Sequence, residues 1–326
     1  MQIKCIGQLT IDDIVLPDGT VHMETMGGNA MYSTAGAALW LQAGEVMPVS
    51  CAGKDYPEHF THFLQSHGVD CSDIQRTDQE HMRSWVLYEK NRERRCLCRN
   101  HEVLPYPPIS EESFHEYFTM YLKLHQQGSP LIDNFPDCLN ADAYHLAPQS
   151  YEHHISNVMT IREYVPGALI SLDPSPFYMK SNSIEQMENI LQYVDMVLPS
   201  REELFSCFGE ISPEAAARRL CSMGPSIAVI KLGADGAYVY NNKNDRGIHI
   251  PSVSTEVIDT TGAGDSFCGG FLAGFCKTGD VVYAACCGAV SASYAVADYG
   301  PVRLFAADRG EAMQKQKNLY EQIVSG

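Results

Sequence analysis

Read for apolar spacing alone, the chain opens on a buried strand, Gln2–Gly7, and then breaks into a short alternating hairpin. Leu9–Leu16 and Val21–Thr25 are its arms, and Pro17-Asp18-Gly19-Thr20 between them is made of turn formers. A second pair of extended runs, Arg83–Lys90 and Glu93–Arg99, flanks Asn91-Arg92. Elsewhere all-apolar runs alternate with segments of helical period. Strands are predicted at Val46–Ala52, Ala143–Ala147, Ala168–Pro174, Met196–Pro199 and Ile227–Lys231. Helices are predicted at Glu58–His67, Glu111–Gln127, Tyr151–Tyr164, Ile184–Tyr193 and Val281–Ala297, with a polar helix from Asp308 onward. Strands apolar on both faces belong in a mostly parallel central sheet covered by helices on each side, an α/β/α sandwich. Such a sheet binds ligands beyond the carboxyl ends of its strands. The two hairpins together predict a small β-sheet lid, inserted at about 12–26 and 83–99 of a single domain spanning 1–326.

Composition narrows the function. The chain has 326 residues, 45% of them hydrophobic, and a formal charge of −17. This is ample for a core, and it disfavours duplex nucleic acid or an anionic membrane surface as partners. An anionic small ligand then needs local basic groups or bare backbone amides. The twelve cysteines follow no disulfide spacing, and neither Cys96-x-Cys98 nor Cys286-Cys287 has the second pair of a zinc site. Met1–Ile14 has no apolar leader, and Val281–Ala297 is short for a membrane span. A reduced, cytoplasmic protein is expected. His59 and His62 near Asp55 have ordinary helix-surface spacing and predict no metal site.

The chemistry concentrates in Asp259-Thr260-Thr261-Gly262-Ala263-Gly264-Asp265, followed by a helical stretch. There Phe267, Phe271, Leu272 and Phe275 cover one side, and Gly269, Gly270 and Gly274 leave a flat face for close approach. Two glycines about an alanine leave the first backbone N–H groups of that helix uncovered, and the helix dipole adds positive potential. The result is an anion hole suited to phosphate. A carboxylate at Asp265 would repel an anion, but it makes sense as the acceptor of a proton from the attacking group. The run is neither a dinucleotide fingerprint, since Phe267 stands at the third glycine's place, nor a P-loop, since Phe275 follows Gly274 where lysine is required.

The run Asp-Thr-Thr-Gly-Ala-Gly-Asp-Ser-Phe resembles the C-terminal signature of the ribokinase-like (PfkB-type) carbohydrate kinases, and Gly27-Gly28-Asn29-Ala30 resembles their N-terminal signature. The resemblance covers nearly the whole chain. It implies a ribokinase-like fold and an ATP- and Mg²⁺-dependent phosphotransferase acting on a hydroxymethyl group of a sugar-like substrate. Asp265 would be the base, and Gly262, Ala263 and Gly264 the hole for the transferred phosphoryl group. Gly28, Asn29 and Asp12, five residues after Gly7, would meet the sugar, with Asp13 a rival for Asp12 and one of the two facing solvent. Ser200 and Glu203 resemble an Asn-x-x-Glu element that organises Mg²⁺ and phosphates through water. A serine-capped helix start explains the same pair. Lys231 and the Gly233 loop would lie on the nucleotide side, Val281–Ala297 would pack along the adenine, and Asp298–Pro301 would close that wall. The family often holds K⁺ where Asp259 and carbonyls about Ala297 and Gly300 stand here. The lid is often its homodimer contact.

The chain also departs from the family pattern. Tyr32 replaces an asparagine, Ala147 stands near an expected glutamate, and Ser200 replaces the asparagine of the Mg²⁺ element. Tyr32 offers one hydroxyl and a stacking face, which weakens the case for plain ribose and allows a larger sugar, a sugar acid or, if the ring stacks on a base, a nucleoside as the alternative substrate. Ser200 and Ala147 lend weight to a non-catalytic ligand-binding relative. Arginines gather in the second hairpin of an acidic chain. Either one of them meets an anionic part of the substrate, or the hairpin is simply kept soluble by charge.

Overall fold

The computed structural model describes residues 1–88, the backbone of 94–98, residues 115, 119 and 124, and residues 128–325. Its centre is β1 (Ile3–Ile6), paired in parallel with β4 (Val46–Ala52) on one side and β8 (Ala143–Leu146) on the other. The parallel run extends beyond β4 to β5 (Ile74–Arg76). Beyond β8 it extends through β9 (Leu169–Leu172) and β10 (Met196–Val197) to β11 (Ile227–Lys231). Two antiparallel strands, β12 (Ala237–Asn241) and β13 (Arg246–Ile250), finish that edge and make nine.

Side chains alternate across the sheet with a period of two, so each strand feeds two cores. Ile3 and Cys5 of β1 and Ile227 and Val229 of β11 pack with Met31, Phe271, Leu272 and Val290. Ile6, Ala228 and Ile230 pack on the opposite face with Val158, Ile190, Leu204 and Leu220. The helices Asn29–Ala38, Ala263–Thr278 and Val281–Ala295 cover the first face. Tyr151–Tyr164, Ile184–Leu191, Arg201–Phe208 and Pro213–Ser222 cover the second.

The flat glycine face does what its spacing predicts. A Cβ built on Gly36 would lie 2.1 Å from the Ser266 carbonyl oxygen, and one on Gly269 would lie 1.9 Å from that of Ser33. The helices Asn29–Ala38 and Ala263–Thr278 therefore touch backbone to backbone, which fixes the Gly27-Gly28 turn against the Gly262–Gly264 turn.

The lid is a four-stranded sheet in the order β3-β2-β6-β7, comprising β2 (Thr10–Val15), β3 (Val21–Gly27), β6 (Arg83–Tyr88) and β7 (Arg94–Cys98). The two hairpins are joined by parallel pairing of β2 with β6. A bulge lies between Asp12 and Ile14, and opposite it Glu24 takes a left-handed φ of 54°. Periodicity missed β5, β13 and the helix Pro213–Ser222. The turn at Asn91-Arg92 lies outside the described residues. So does the expected helix Glu111–Gln127, apart from helical His115, Thr119 and Leu124.

Candidate active site at the strand ends

The motif helix begins at Ala263, with Gly262 as its N-cap in the left-handed region at φ 72°. Only glycine fits there, because a Cβ would fall 2.1 Å from Cγ of the Tyr32 ring. Ala263 N–H reaches Thr260 O at 3.4 Å, a long contact that leaves it loosely engaged. Asp265, third residue of the helix, is half-buried. A Cβ on Gly264 would sit 3.4 Å from Lys231 Nζ, so the lysine lies directly beside the Gly262–Gly264 backbone.

Lys231 is not free to move there. It ends β11, its Nζ is bonded to Asp173 Oδ2 at the end of β9, and it lies 3.7 Å from Cys268 Sγ. The Cys268 thiol lies 3.4 Å from the same carboxylate oxygen, and Asp173 Oδ1 has no hydrogen-bond partner among the described residues. Burial pushes Asp173 up to about 6; Lys231 draws it down and Asp265 raises it again. Burial also lifts Glu203 to about 7, with Asp173 adding to the rise. Asp173 and Glu203 thus act on one ammonium group, and Asp265 acts on Asp173. This oxygen-rich set fits Mg²⁺ held mainly by water and phosphates. No three His, Cys, Asp or Glu side chains converge on an ion position among the described residues.

Asp173 is the main site residue that periodicity passed over. Its signal is slight: an acid just after an apolar strand, at the edge where ligands bind. Ser200 and Glu203 form a reciprocal capping box. Ser200 Oγ accepts Glu203 N–H at 3.2 Å, and Glu203 Oε2 accepts from Ser200 N–H at 2.7 Å and from Ser200 Oγ at 2.9 Å. Gly233 sits in an exposed turn at φ 61° with open space around it.

On the sugar side the outcome is mixed. Asp12 and Asp13 are both buried, which overturns the expectation that one faces solvent. Asp12 Oδ1 accepts from Thr10 Oγ1 at 2.9 Å, and a Cβ on Gly27 would collide with Asp12 Oδ2 at 1.9 Å, so Gly27 makes room for that carboxylate. Asp13 instead belongs to the lid. It accepts Glu24 N–H at 2.8 Å and lies 3.6 Å from Arg83 Nε, while Arg83 is also 3.5 Å from Glu24. Arg83 therefore turns to two lid acids. Arg92, Arg99 and the side chains of Arg94 and Arg95 lie outside the described residues.

Gly28, at φ 102°, lies so close to Gln8 O that a Cβ would come within 2.3 Å of it. Asn29 tethers two loops: its Oδ1 accepts Gln8 N–H at 2.8 Å and its Nδ2 donates to Pro148 O at 2.8 Å. Tyr32 is 2% exposed and packed on Gly262. Its ring is not presented as a platform for a base.

At the strand end lacking the glutamate, Ala147 O is bonded to His154 Nε2 at 2.8 Å. A carbonyl can only accept, so Nε2 carries the hydrogen and Nδ1 accepts from Tyr178 OH at 2.7 Å. Burial holds His154 down to about 4 and His145 to about 3, so both are neutral.

Asp259 is buried, and its Oδ1 accepts from Tyr88 OH and from Thr261 N–H; Oδ2 has no partner among the described residues. That orphan oxygen fits a cation. The Ala297 carbonyl fits less well, since it already accepts from Arg303 at 2.8 Å. Gly300 lies against the lid, where its Cβ would meet Thr25 Cγ2 at 2.6 Å, and Tyr299 stacks on His22 with centroids 4.1 Å apart. The wall expected to close on adenine therefore also docks the lid. Cys286 and Cys287 are buried, and no described helix is long and apolar enough to cross a membrane.

Comparison with known proteins agrees with this geometry. A family model for "pfkB family carbohydrate kinase" matches residues 3–305. An uncharacterised sugar kinase from Archaeoglobus fulgidus is 37% identical over 131 residues, 40% of this chain, which there spans about half (51%) of the relative's length. A cytidine kinase from Thermococcus kodakarensis is 26% identical over 280 residues, covering 85% of this chain and 89% of that protein. Among solved structures, ribokinase from Giardia lamblia superposes with a TM-score of 0.73 at 16% identity, over 96% of this chain and 99% of that one. Arabidopsis thaliana ribokinase complexed with ribose and ATP superposes at 0.69 and 17% identity, over 97% and 98%.

Proposed function

The chain belongs to the pfkB family of carbohydrate kinases, and on that premise we propose that it moves the γ-phosphoryl group of ATP to a hydroxymethyl group of a polyhydroxyl acceptor, a sugar or sugar-like compound or a nucleoside. The observation that carries this is the placing of half-buried Asp265 in the first turn of the motif helix, beside the uncovered Gly262–Gly264 backbone and Lys231. Asp265 takes the proton of the acceptor hydroxyl as its oxygen attacks phosphorus. The Gly262–Gly264 amides meet the charge that builds on the transferred group. Lys231, held in place by Asp173, supports the phosphate side, and Glu203 orders water there. Mg²⁺ bound with ATP would neutralise the phosphates. Asp12 grips acceptor hydroxyls and Gly28 lets them approach the backbone, while Asn29 holds the Gln8 and Pro148 loops that frame them.

The test is ADP release across a panel of sugars, sugar acids and nucleosides, with Asp265→Asn alongside. Turnover on one acceptor that falls by orders of magnitude in the variant, with acceptor binding intact, supports the reading. Retained turnover in the variant refutes the base assignment. Binding without ADP release on any acceptor would make the chain a non-catalytic relative. A nucleoside is a second reading, favoured by the extended similarity to a cytidine kinase rather than by Tyr32.

A K⁺ ion at Asp259 belongs to the same proposal, held by the orphan Oδ2. Comparing rates in KCl and in tetramethylammonium chloride reads it. So does a homodimer through the lid: β3 is an edge strand exposing Val21 and Met23, and light scattering gives the oligomeric state. A cytoplasmic site of action completes the reading.

A further inference from the structure

Tyr88 is the last residue of β6 in the lid, yet its hydroxyl donates to Asp259 Oδ1, 171 positions along the chain, and lies 3.1 Å from Thr261 Oγ1. That carboxylate oxygen also accepts Thr261 N–H at 2.7 Å, and Asp259 is 1% exposed. Two donors therefore serve one buried carboxylate oxygen, and one of them comes from the lid. The backbone just before the hole hangs from a single acceptor, since Ile258 N–H and Asp259 N–H both reach Val296 O, at 2.8 and 3.2 Å. Between that anchor and Gly262, packed on Tyr32, the path of Thr260 and Thr261 depends on the Asp259 carboxylate. On the lid side, β6 runs parallel to β2 with Asp12 opposite Ser84 and Ile14 opposite Val86. The strand that carries Tyr88 is thus paired along its length with the strand that carries the acceptor-side acid.

We propose that Tyr88 is a positioning residue that couples the lid to the anion hole through Asp259. When the lid settles over an acceptor, the phenol completes the Asp259 carboxylate and fixes the Asp259–Gly262 run in its phosphate-ready course. When the lid lifts, that donor is withdrawn. Coupling of this kind is reciprocal, so nucleotide at the hole also steadies the lid. The proposal rests on the kinase reading for what occupies the hole, but not for the bond itself.

The test is amide hydrogen exchange on the full chain, without ligand and with the Mg²⁺ complex of AMP-PNP, in the native protein, Tyr88→Phe and Asp259→Asn. Tyr88→Phe removes the hydroxyl and keeps the ring among Ile14, Val86, Leu16 and Tyr299. Without ligand, exchange at 10–15, 83–88 and 258–262 should rise together by about tenfold or more, as for loss of one hydrogen bond to a charged group. Asp259→Asn should raise exchange in the lid strands although no lid residue has changed. AMP-PNP should protect both regions in the native protein but only the motif in Tyr88→Phe. A purely local packing role for Tyr88 would leave that ligand-induced lid protection intact. Equal protection of the lid in native and Tyr88→Phe proteins overturns the coupling, as does unchanged exchange at 258–262 in the ligand-free variant. Failure of the native protein to bind AMP-PNP counts against the kinase reading instead, and the ligand-free comparison then decides the coupling.

Discussion

Replacing Gly262 by alanine tests the packing on which the proposed anion hole depends. Two terms act at this position. The left-handed backbone at φ 72° costs an L-residue about 1–2 kcal/mol. The added methyl would also stand 2.1 Å from Cγ of Tyr32 and 2.2 and 2.4 Å from its Cδ atoms, against ordinary contacts near 3.5–4 Å. The ring is buried, so the overlap must be relieved by shifting it or the start of the motif helix, an overpacking cost of about 1–3 kcal/mol. Together these predict a loss of about 2–5 kcal/mol. Two controls separate the terms. Gly44 (φ 79°) and Gly279 (φ 69°) have the same handedness, and nothing lies within 4 Å of a Cβ built on either. Alanine there should cost the backbone term alone. Urea unfolding of the three variants gives the comparison, and AMP-PNP affinity reports whether the hole has moved. If Gly262→Ala is no less stable than Gly44→Ala and Gly279→Ala, and binds nucleotide normally, Tyr32 does not bear on the hole.

The buried cluster makes further predictions. Lys231→Met strands the Asp173 carboxylate and should cost about 3–5 kcal/mol near pH 8, with a smaller loss near pH 5 where Asp173 is protonated; equal losses at both pH values would refute the pairing. Asp173 and Glu203 have folded pKa values raised from 3.8 to about 6 and from 4.5 to about 7. Their contribution to stability is therefore fully present below about pH 4 and is lost as pH rises through 6 and 7. Glu203→Gln should flatten the upper part of that decline in a series of unfolding curves; an unchanged slope would mean the carboxylate is not strained by its surroundings. Gly269→Ala would bring a methyl within 1.9 Å of Ser33 O and should lower stability by about 1–3 kcal/mol while pushing the two signature helices apart. A neutral effect on the melting temperature would show that the helices are not in backbone contact.

Much of the fold was legible because it is local. The helix Tyr151–Tyr164 and the strand Ile227–Lys231 fall at their predicted residues, and the antiparallel pairs β2–β3 and β6–β7 overlap their predicted runs, because apolar period acts within a few positions. Strand β5 is three residues long with two of them exposed, so it has almost no pattern to read. At the site, the run Asp259–Asp265 declared its own chemistry, since two glycines, a helix start and an acid are adjacent in the chain. The partners of that chemistry are not adjacent. Ser200 and Glu203 form the capped helix start that their spacing also allowed. Tyr32 suggested a surface for a ligand and is turned onto Gly262.

The sequence by itself determined most of the backbone segments, which run carries two glycines at a helix start and which carboxylate stands beside them. The tertiary structure alone decided that Asp173 and Lys231 meet across 58 positions, that Asp13 belongs to the lid while Asp12 faces Gly27, and that Tyr88 reaches Asp259. Periodicity reports which face of an element is buried. It says nothing about what lies on the other side of that face, because that is fixed by the order in which strands pair and by how closely glycine lets two helices approach.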